Sequence, residues 1–283
     1  MKNHRKQKSE SVKTFLTGLD GKMGSLISKQ IALNPDCYSL VGGTSGNQIV
    51  SFSPEKSFFS MASEAWLKAL ENVGLVIDFS HPSIHESMME AVNKHLKKRD
   101  KSRSLTVFVG TTGIGQESSK YWRALAKKHP NLKVMIAPNT SLGIMVLSRI
   151  LKSVSGFLFE KGFDIELLES HHKEKIDAPS GTALKLIADI KTALPQISPE
   201  TEGRKGKREQ RSLGVHSIRG GTVAGDHTIQ FLGSHESLTL THHAQSRELF
   251  ADGALKLVGW LYKQPGGFYT MDDIPMVLPG ATS

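Results

Sequence analysis

Cysteine is almost absent: Cys37 stands alone among 283 residues, so the chain can form no internal disulfide and offers no cysteine pair for zinc. Placed just before an apolar strand, Cys37 is expected to be buried. The pattern His-Glu-x-x-His is missing too, and no metal is expected. Aromatic residues make up only 7%, and none interleave with the basic clusters, which removes the stacking platform of a single-strand binder. No apolar run approaches the roughly 20 residues of a membrane span. Met1 to Glu10 is basic and polar, with no apolar stretch after it of the kind a signal peptide needs. The expectation is a soluble cytoplasmic protein with no membrane partner.

Charge is not scarce, since 36 Lys and Arg against 27 Asp and Glu give a formal +9. Such a balance suits nucleic acid, or the steering of an anionic substrate and a phosphorylated cofactor. The basic residues gather in the tail (Lys2, Arg5, Lys6, Lys8), at a helix end (Lys94, Lys97, Lys98, Arg99) and in a loop (Arg204, Lys205, Lys207, Arg208, Arg211). No nucleic-acid motif accompanies them. They read as solvated faces, and no nucleic-acid partner is expected. The length allows two modest domains, after a disordered basic extension over residues 1–11.

Val12 to Thr17 reads as a strand, followed by Gly18-Leu19-Asp20-Gly21-Lys22-Met23-Gly24 and a helix with Leu26, Ile27 and Ile31 on one side. Glycines at this joint permit a tight turn and close approach of backbone to a pyrophosphate. Asp20 would repel that phosphate unless it turns away. A second strand, Tyr38 to Gly43, ends without the acidic residue that binds an NAD ribose or the arginine that favours NADP. Only Thr44, Ser45 and Asn47 follow, so the choice of cofactor stays open.

Val73 to Phe79 runs into Ser80-His81-Pro82 and a helix from about Ser83 to Lys98. Leu105 to Val109 leads to Gly110-Thr111-Thr112-Gly113, and Lys133 to Ala137 leads to Pro138-Asn139-Thr140-Ser141, both at the edge of a cofactor cleft. Strands alternating with helices at this interval predict a doubly wound parallel sheet, a Rossmann-like dinucleotide-binding domain over residues 12–141.

A helix from Ser141 to Val154 leads into a different pattern. Strand-like stretches near Phe163, Val215, Thr228 and Leu238 predict an α+β domain on an open mixed sheet, residues 142–248. Pro195 to Arg211 reads as a mobile loop. His242 and His243 invite a metal reading, but alternation along a strand sends their rings to opposite faces. Residues 249–283 form a helix, Glu248 to Leu261, and a tail returning to the first domain.

The chain is organised around Glu169 to Ala183, which reads Glu-Ser-His-His-Lys-Glu-Lys-Ile-Asp-Ala-Pro-Ser-Gly-Thr-Ala. An apolar strand precedes it, and Ala183, Leu184, Ile187 and Ile190 follow at helical spacing. The joint Pro179-Ser180-Gly181-Thr182 places a hydroxyl cap and a glycine at a helix start, where unpaired N–H groups attract a carboxylate or phosphate. His171, His172 and Lys175 beside such an end suggest a site that holds a small anion and gives it a proton. A polar surface loop with a helix cap, or a histidine metal site, remain alternative readings of these residues.

This run resembles the signature of the dihydrodipicolinate reductase family, Glu-x-His-His-x-x-Lys-x-Asp-Ala-Pro-Ser-Gly-Thr-Ala, with matching spacing throughout. The glycine turn is similar to that family's Gly-x-x-Gly-[Arg/Lys]-Met-Gly, and Asp78 to Pro82 to its Asp-Phe-[Ser/Thr]-x-Pro. The resemblance implies acid catalysis by His171 and Lys175, and substrate binding by His172, Ser180, Gly181 and Thr182. Cofactor contacts are implied for Gly18, Leu19, Asp20, Gly21, Lys22 and Met23, for Gly110, Thr111 and Thr112, and for Ala137, Pro138, Asn139 and Thr140. Arg219 to Gly221 and Gly225 to Thr228 look like two further family segments, with roles in turns and subunit contact.

The implied activity is hydride transfer from NADPH or NADH to C4 of the cyclic imine-diacid derived from 4-hydroxy-tetrahydrodipicolinate, giving tetrahydrodipicolinate in lysine and diaminopimelate synthesis. A homotetramer built through the second sheet is implied as well. Another nicotinamide-dependent dehydrogenase of amino-acid metabolism would keep the first domain but leave the His-His-x-x-Lys run unexplained. A non-catalytic nucleotide-binding protein would leave the proton-transfer groups idle.

Overall fold

A computed structural model describes residues 10–52, 57–200 and 206–276. In chain order the elements are β1 (Val12–Thr17), α1 (Lys22–Ala32), β2 (Tyr38–Ser45), β3 (Gln48–Ser51), β4 (Ser57–Ser60), α2 (Ser63–Leu70), β5 (Leu75–Asp78), α3 (Pro82–Lys98), β6 (Leu105–Val109), α4 (Gly115–Lys128) and β7 (Leu132–Ile136). There follow α5 (Leu142–Glu160), β8 (Asp164–His171), α6 (Gly181–Ala193), β9 (Ser198–Glu200), β10 (Ser212–Arg219), β11 (Asp226–Leu232), β12 (Ser237–His243), α7 (Glu248–Tyr262) and β13 (Gly267–Thr270). They form two compact units, one of residues 1–140 and 250–283, the other of residues 141–249.

In the first unit the strand order is β13-β7-β6-β5-β1-β2-β3-β4. Pairing is parallel from β13 to β2, and the β2-β3-β4 edge is an antiparallel meander. Neighbouring residues of the central strands are all buried: Phe15 with Leu16, Val76 with Ile77, Val107 with Phe108, Val134 with Met135. Both faces of the sheet are therefore covered, which is why these strands read as mostly apolar runs without strict alternation. Trp66, Met88, Val92 and Trp122 from α2, α3 and α4 fill one side with Phe15, Val76 and Val107. This is the doubly wound sheet the sequence predicts, and β1 and β5 flank its topological switch point, where such folds bind ligands.

The second unit is a mixed sheet, β12-β11-β8-β10-β9. Strand β8 runs parallel to β10 and antiparallel to β11. Ile165 and Leu167 of β8, Leu213 and Val215 of β10, and Ile229 and Phe231 of β11 pack against α5 and α6 through Leu147, Leu151, Leu186 and Ile190. Helix α5 is long and apolar enough to cross a membrane by composition, against the expectation that no run reaches that length. Its stripe of Ile144, Leu147 and Leu151 is spent on this core instead.

Three other expectations are corrected. Cys37 is exposed, because it closes the turn after α1, its N–H donating to the Asn34 carbonyl, and precedes rather than joins the strand. Pro195 to Arg211 is not wholly loop: β9 pairs with β10, and Arg208, far from being solvated, pairs with Asp164 at 2.8 Å and with Glu166. Arg99, placed among the solvated charges, instead donates to the Val73 and Ser104 carbonyls and to His95. The expected disordered extension lies outside the described residues apart from Glu10 and Ser11.

Candidate functional site

In the first unit the candidate cofactor residues follow the carboxyl ends of β1, β6 and β7. Gly18 has φ +80°, and a Cβ there would sit 2.4 Å from the Phe79 carbonyl oxygen. Gly21 is the N-cap of α1 and supplies no side chain to cap it, and the first turn carries no acidic residue. The helix start thus keeps N–H groups and partial positive charge for an anion. Asp20 turns away from it, its Oδ2 accepting from the Gly46 N–H at 3.0 Å. Such a donor set, in the turn that also carries Leu19, Lys22 and Met23, suits a dinucleotide pyrophosphate.

Behind the turn, Thr44 is buried and its hydroxyl accepts from the Gly18 N–H at 2.9 Å. Beneath it lies Asp78, also buried, which accepts from Thr17, from the Ser80 hydroxyl at 2.5 Å and from His85 Nδ1 at 2.6 Å. Burial pushes its carboxyl up, but the hydrogen bonds and charge of His85, with Ser80 and Thr17, hold it below the usual range. Trp122 donates to His85 Nε2 at 3.3 Å, which holds the ring with Nδ1 turned to Asp78.

Gly110 and Thr111 are buried and Thr112 is exposed, and the Thr111 hydroxyl accepts from the Ser80 N–H at 2.9 Å. Ala137 is buried, Pro138 exposed and Asn139 half-buried. The Thr140 hydroxyl is spent elsewhere, donating to the Phe250 carbonyl at 2.7 Å.

In the second unit β8 extends past its apolar half to deliver Glu169 and His171 on the face covered by α6. Register explains the cluster there. Glu169 lies beside Ser217 of β10 and His227 of β11, and His171 lies beside Arg219. Glu169 is fully buried. Its Oε2 accepts from His171 Nδ1 at 2.5 Å and from Arg219 at 2.9 Å, its Oε1 from Arg219 at 2.7 Å and from the Ser180 N–H at 3.2 Å. Burial raises its carboxyl, but the hydrogen bonds of Arg219, Ser217 and His171 and the Arg219 charge bring it down to about 2.

His171 is lowered mainly by burial, which outweighs the pull of Glu169, and the charges of Lys175 and Arg219 push it the same way. Its proton is on Nδ1, facing Glu169. Gly225 lies against Nε2, where a Cβ would sit 3.0 Å from that nitrogen. His227 stacks edge-on to His171 with ring centroids 5.4 Å apart, and burial, with the nearby His171, lowers it to about 4.

Ser180 caps α6, its hydroxyl accepting from the Ala183 N–H at 3.1 Å and lying 3.3 Å from His227 Nε2. Gly181 is exposed and Thr182 half-buried at that helix start. His172 leaves the strand, its N–H donating to the Val223 carbonyl and its ring 3.4 Å from Arg247. Lys175 is half-buried, and its ammonium donates to both Asp177 oxygens at 2.7 and 2.9 Å. The second unit therefore gathers His171, Ser180 and Lys175 with three residues to which the sequence reading gave no such role, Glu169, Arg219 and His227. Only β-sheet register, invisible in a single sequence, brings Arg219 to Glu169. The adjacent His242 and His243 have separate partners, Ser141 and Asp226, and no group of three ligands suited to a metal occurs among the described residues.

Comparison with known proteins gives concordant matches. The family model described as dihydrodipicolinate reductase, N-terminus, covers residues 12–140, and that described as dihydrodipicolinate reductase, C-terminus, covers residues 143–274. The 4-hydroxy-tetrahydrodipicolinate reductase of Caldanaerobacter subterraneus subsp. tengcongensis is 37% identical over 266 residues, 93% of this chain and 98% of the relative. That of Clostridium novyi is 37% identical over 264 residues, 93% and 97% of the two chains. The solved structure of a dipicolinate-bound dihydrodipicolinate reductase from Paenisporosarcina sp. TG-14 has the same fold, with a TM-score of 0.71 at 20% identity over 93% of this chain and 100% of that one.

Proposed function

The chain belongs to the dihydrodipicolinate reductase family, and we propose that the cluster at the end of β8 is where it holds and protonates its substrate. It is an NAD(P)H-dependent oxidoreductase that reduces the cyclic imine-diacid derived from 4-hydroxy-tetrahydrodipicolinate to tetrahydrodipicolinate, in lysine and diaminopimelate synthesis. The observation that carries the site assignment is one buried carboxylate, Glu169, bonded both to His171 and to the Ser180 amide that opens α6.

When bound at the glycine cradle, NADPH or NADH supplies the hydride. The residues of the second unit deal with charge and proton. The N–H groups of Gly181 and Thr182, with the Thr182 hydroxyl, grip one carboxylate of the substrate, and His172 contacts the other. Hydride arrival at C4 builds negative charge towards the ring nitrogen and C3, which the Lys175 ammonium offsets. To bind, the diacid competes with Asp177 both for that ammonium and for the Gly181 N–H. His171 gives a proton from Nε2, the nitrogen turned away from Glu169. An anionic substrate beside the ring favours its protonated form and so opposes the lowering effect of burial.

Two coarser features follow from the same reading. The sheet face opposite α5 and α6 carries exposed Ile218 and Leu232 among Thr228, Gln230 and Thr241, which suits a homotetramer assembled through that face. The chain works in the cytoplasm. Generating the unstable substrate from pyruvate and aspartate semialdehyde with its synthase, then following loss of reduced cofactor, tests the activity. Cofactor oxidation that needs every component is expected, and its absence would overturn the assignment.

A further inference from the structure

Glu169 reaches no solvent and has no apolar role, yet it sits at the junction of four elements: β8 itself, β10 through Arg219, the start of α6 through the Ser180 amide, and the loop after β8, whose Asp177 carbonyl also accepts from Arg219 at 2.6 Å. Burying a carboxylate and a guanidinium is costly and seldom repaid in stability alone. Its retention here is explained by what the pair holds. The two Arg219 bonds form a fork that fixes the carboxylate plane. That plane gives one oxygen to His171 Nδ1 and the other to the Ser180 N–H.

We propose that Glu169 and Arg219 are a positioning pair. Glu169 keeps the His171 proton on Nδ1 so that Nε2 faces the substrate, and ties the imidazole rigidly to the helix start that binds the carboxylate. Arg219 keeps the carboxylate ionised and correctly turned. This rests on the reading of His171 as the proton-transfer group.

The groups facing His171 are Glu169 on its own strand, Arg219 on β10, His227 on β11 and Lys175 in the loop. Of these, Glu169 favours the imidazolium, whereas Arg219 and Lys175 oppose it. Removing each member of the pair therefore acts on His171 with opposite sign. If protonated His171 is needed for turnover, kcat falls on the alkaline side of its titration. In Glu169→Gln that fall moves to lower pH, and in Arg219→Gln it moves to higher pH. Each variant is also expected to lose about 10- to 100-fold in kcat, the size of loss that follows removal of a hydrogen-bonded partner orienting a metal-ligating histidine.

The test is the pH profile of kcat for both variants and the parent in the coupled assay. Opposite displacements support the pair, because general loosening of the fold has no reason to move two profiles in opposite directions. Unmoved profiles, or displacements of the same sign, overturn it. A second measurement needs no variant of the pair: in protein with nitrogen-15 histidine, with His171→Asn identifying the resonance, the His171 ring should show Nδ1 protonated and Nε2 bare at neutral pH. The reverse tautomer overturns the proposal. A parent enzyme inactive in the coupled assay would refute the catalytic reading and leave the tautomer measurement to decide the pair separately.

Discussion

Gly24, one turn into α1, packs so closely under Gly18 that a Cβ on it would lie 1.8 Å from the Gly18 carbonyl oxygen. The contact is backbone against backbone, so no rotamer change relieves it. Gly24→Ala must push α1 off the turn and misplace the N–H groups at its start. The expected result is a Michaelis constant for NADPH raised at least about tenfold, with a lowered melting temperature from the overpacking, about 1–3 kcal/mol. Titration of nucleotide fluorescence and thermal unfolding measure the two. Normal nucleotide affinity would place the pyrophosphate elsewhere.

Cofactor choice depends on the end of β2. The strand itself ends without a carboxylate, the Asp20 carboxylate at that turn is engaged by the Gly46 N–H, and since Thr44 is buried behind Gly18, Ser45 and Asn47 are the groups left to meet a 2'-phosphate. The enzyme is expected to use both cofactors. A preference for NADH beyond about a hundredfold in kcat/KM, about 2.7 kcal/mol, would contradict this reading of the loop.

Thr182→Val should raise the Michaelis constant for the diacid while kcat changes little. A hydroxyl that grips a carboxylate equally in ground and transition states contributes uniform binding. Steady-state kinetics with each substrate varied will show whether the effect falls on the diacid. Loss of cofactor affinity instead would contradict the assignment.

Two buried imidazoles set a pH dependence of stability. His227 and His95 are both lowered to about 4, chiefly by burial. Each stays neutral in the folded chain while the unfolded chain takes up a proton below 6.5, so stability is lost as pH falls from 6.5 to about 4. The loss is of order 3 kcal/mol per group. Urea unfolding across that range should show the decline, and His227→Asn or His95→Asn should reduce its slope. An unchanged slope in both variants would contradict it.

Much of this was legible because parallel strands buried on both faces announce themselves: Leu105 to Val109 is apolar but for Thr106 and becomes β6. The glycine turn was legible from steric need at Gly18 and Gly24. The short strands β3, β4 and β13 were not, since four residues such as Gly267 to Thr270 carry too little pattern to separate strand from turn. Strand β8 was foreseen only to Leu168, because its last residues are polar and pair with one another. Hydrophobic periodicity cannot report a buried ion pair, and Arg219 is 50 residues from Glu169. Gly225 was read as part of a turn, although its lack of a side chain also opens the space beside His171 Nε2.

The most direct test of the catalytic account is the turnover of Lys175→Ala in the coupled assay, with His171→Ala and Lys175→Arg alongside. Loss of the ammonium should lower kcat by about two to four orders of magnitude. Lys175→Arg should recover little, because the broad planar guanidinium keeps the charge but does not place it where the compact ammonium sits. His171→Ala should fall as well, though less, since water can replace the donor. Cofactor affinity should stay normal in all three. Folded Lys175→Ala and His171→Ala proteins that turn over at the parent rate would contradict the account and leave the end of β8 as a binding surface alone.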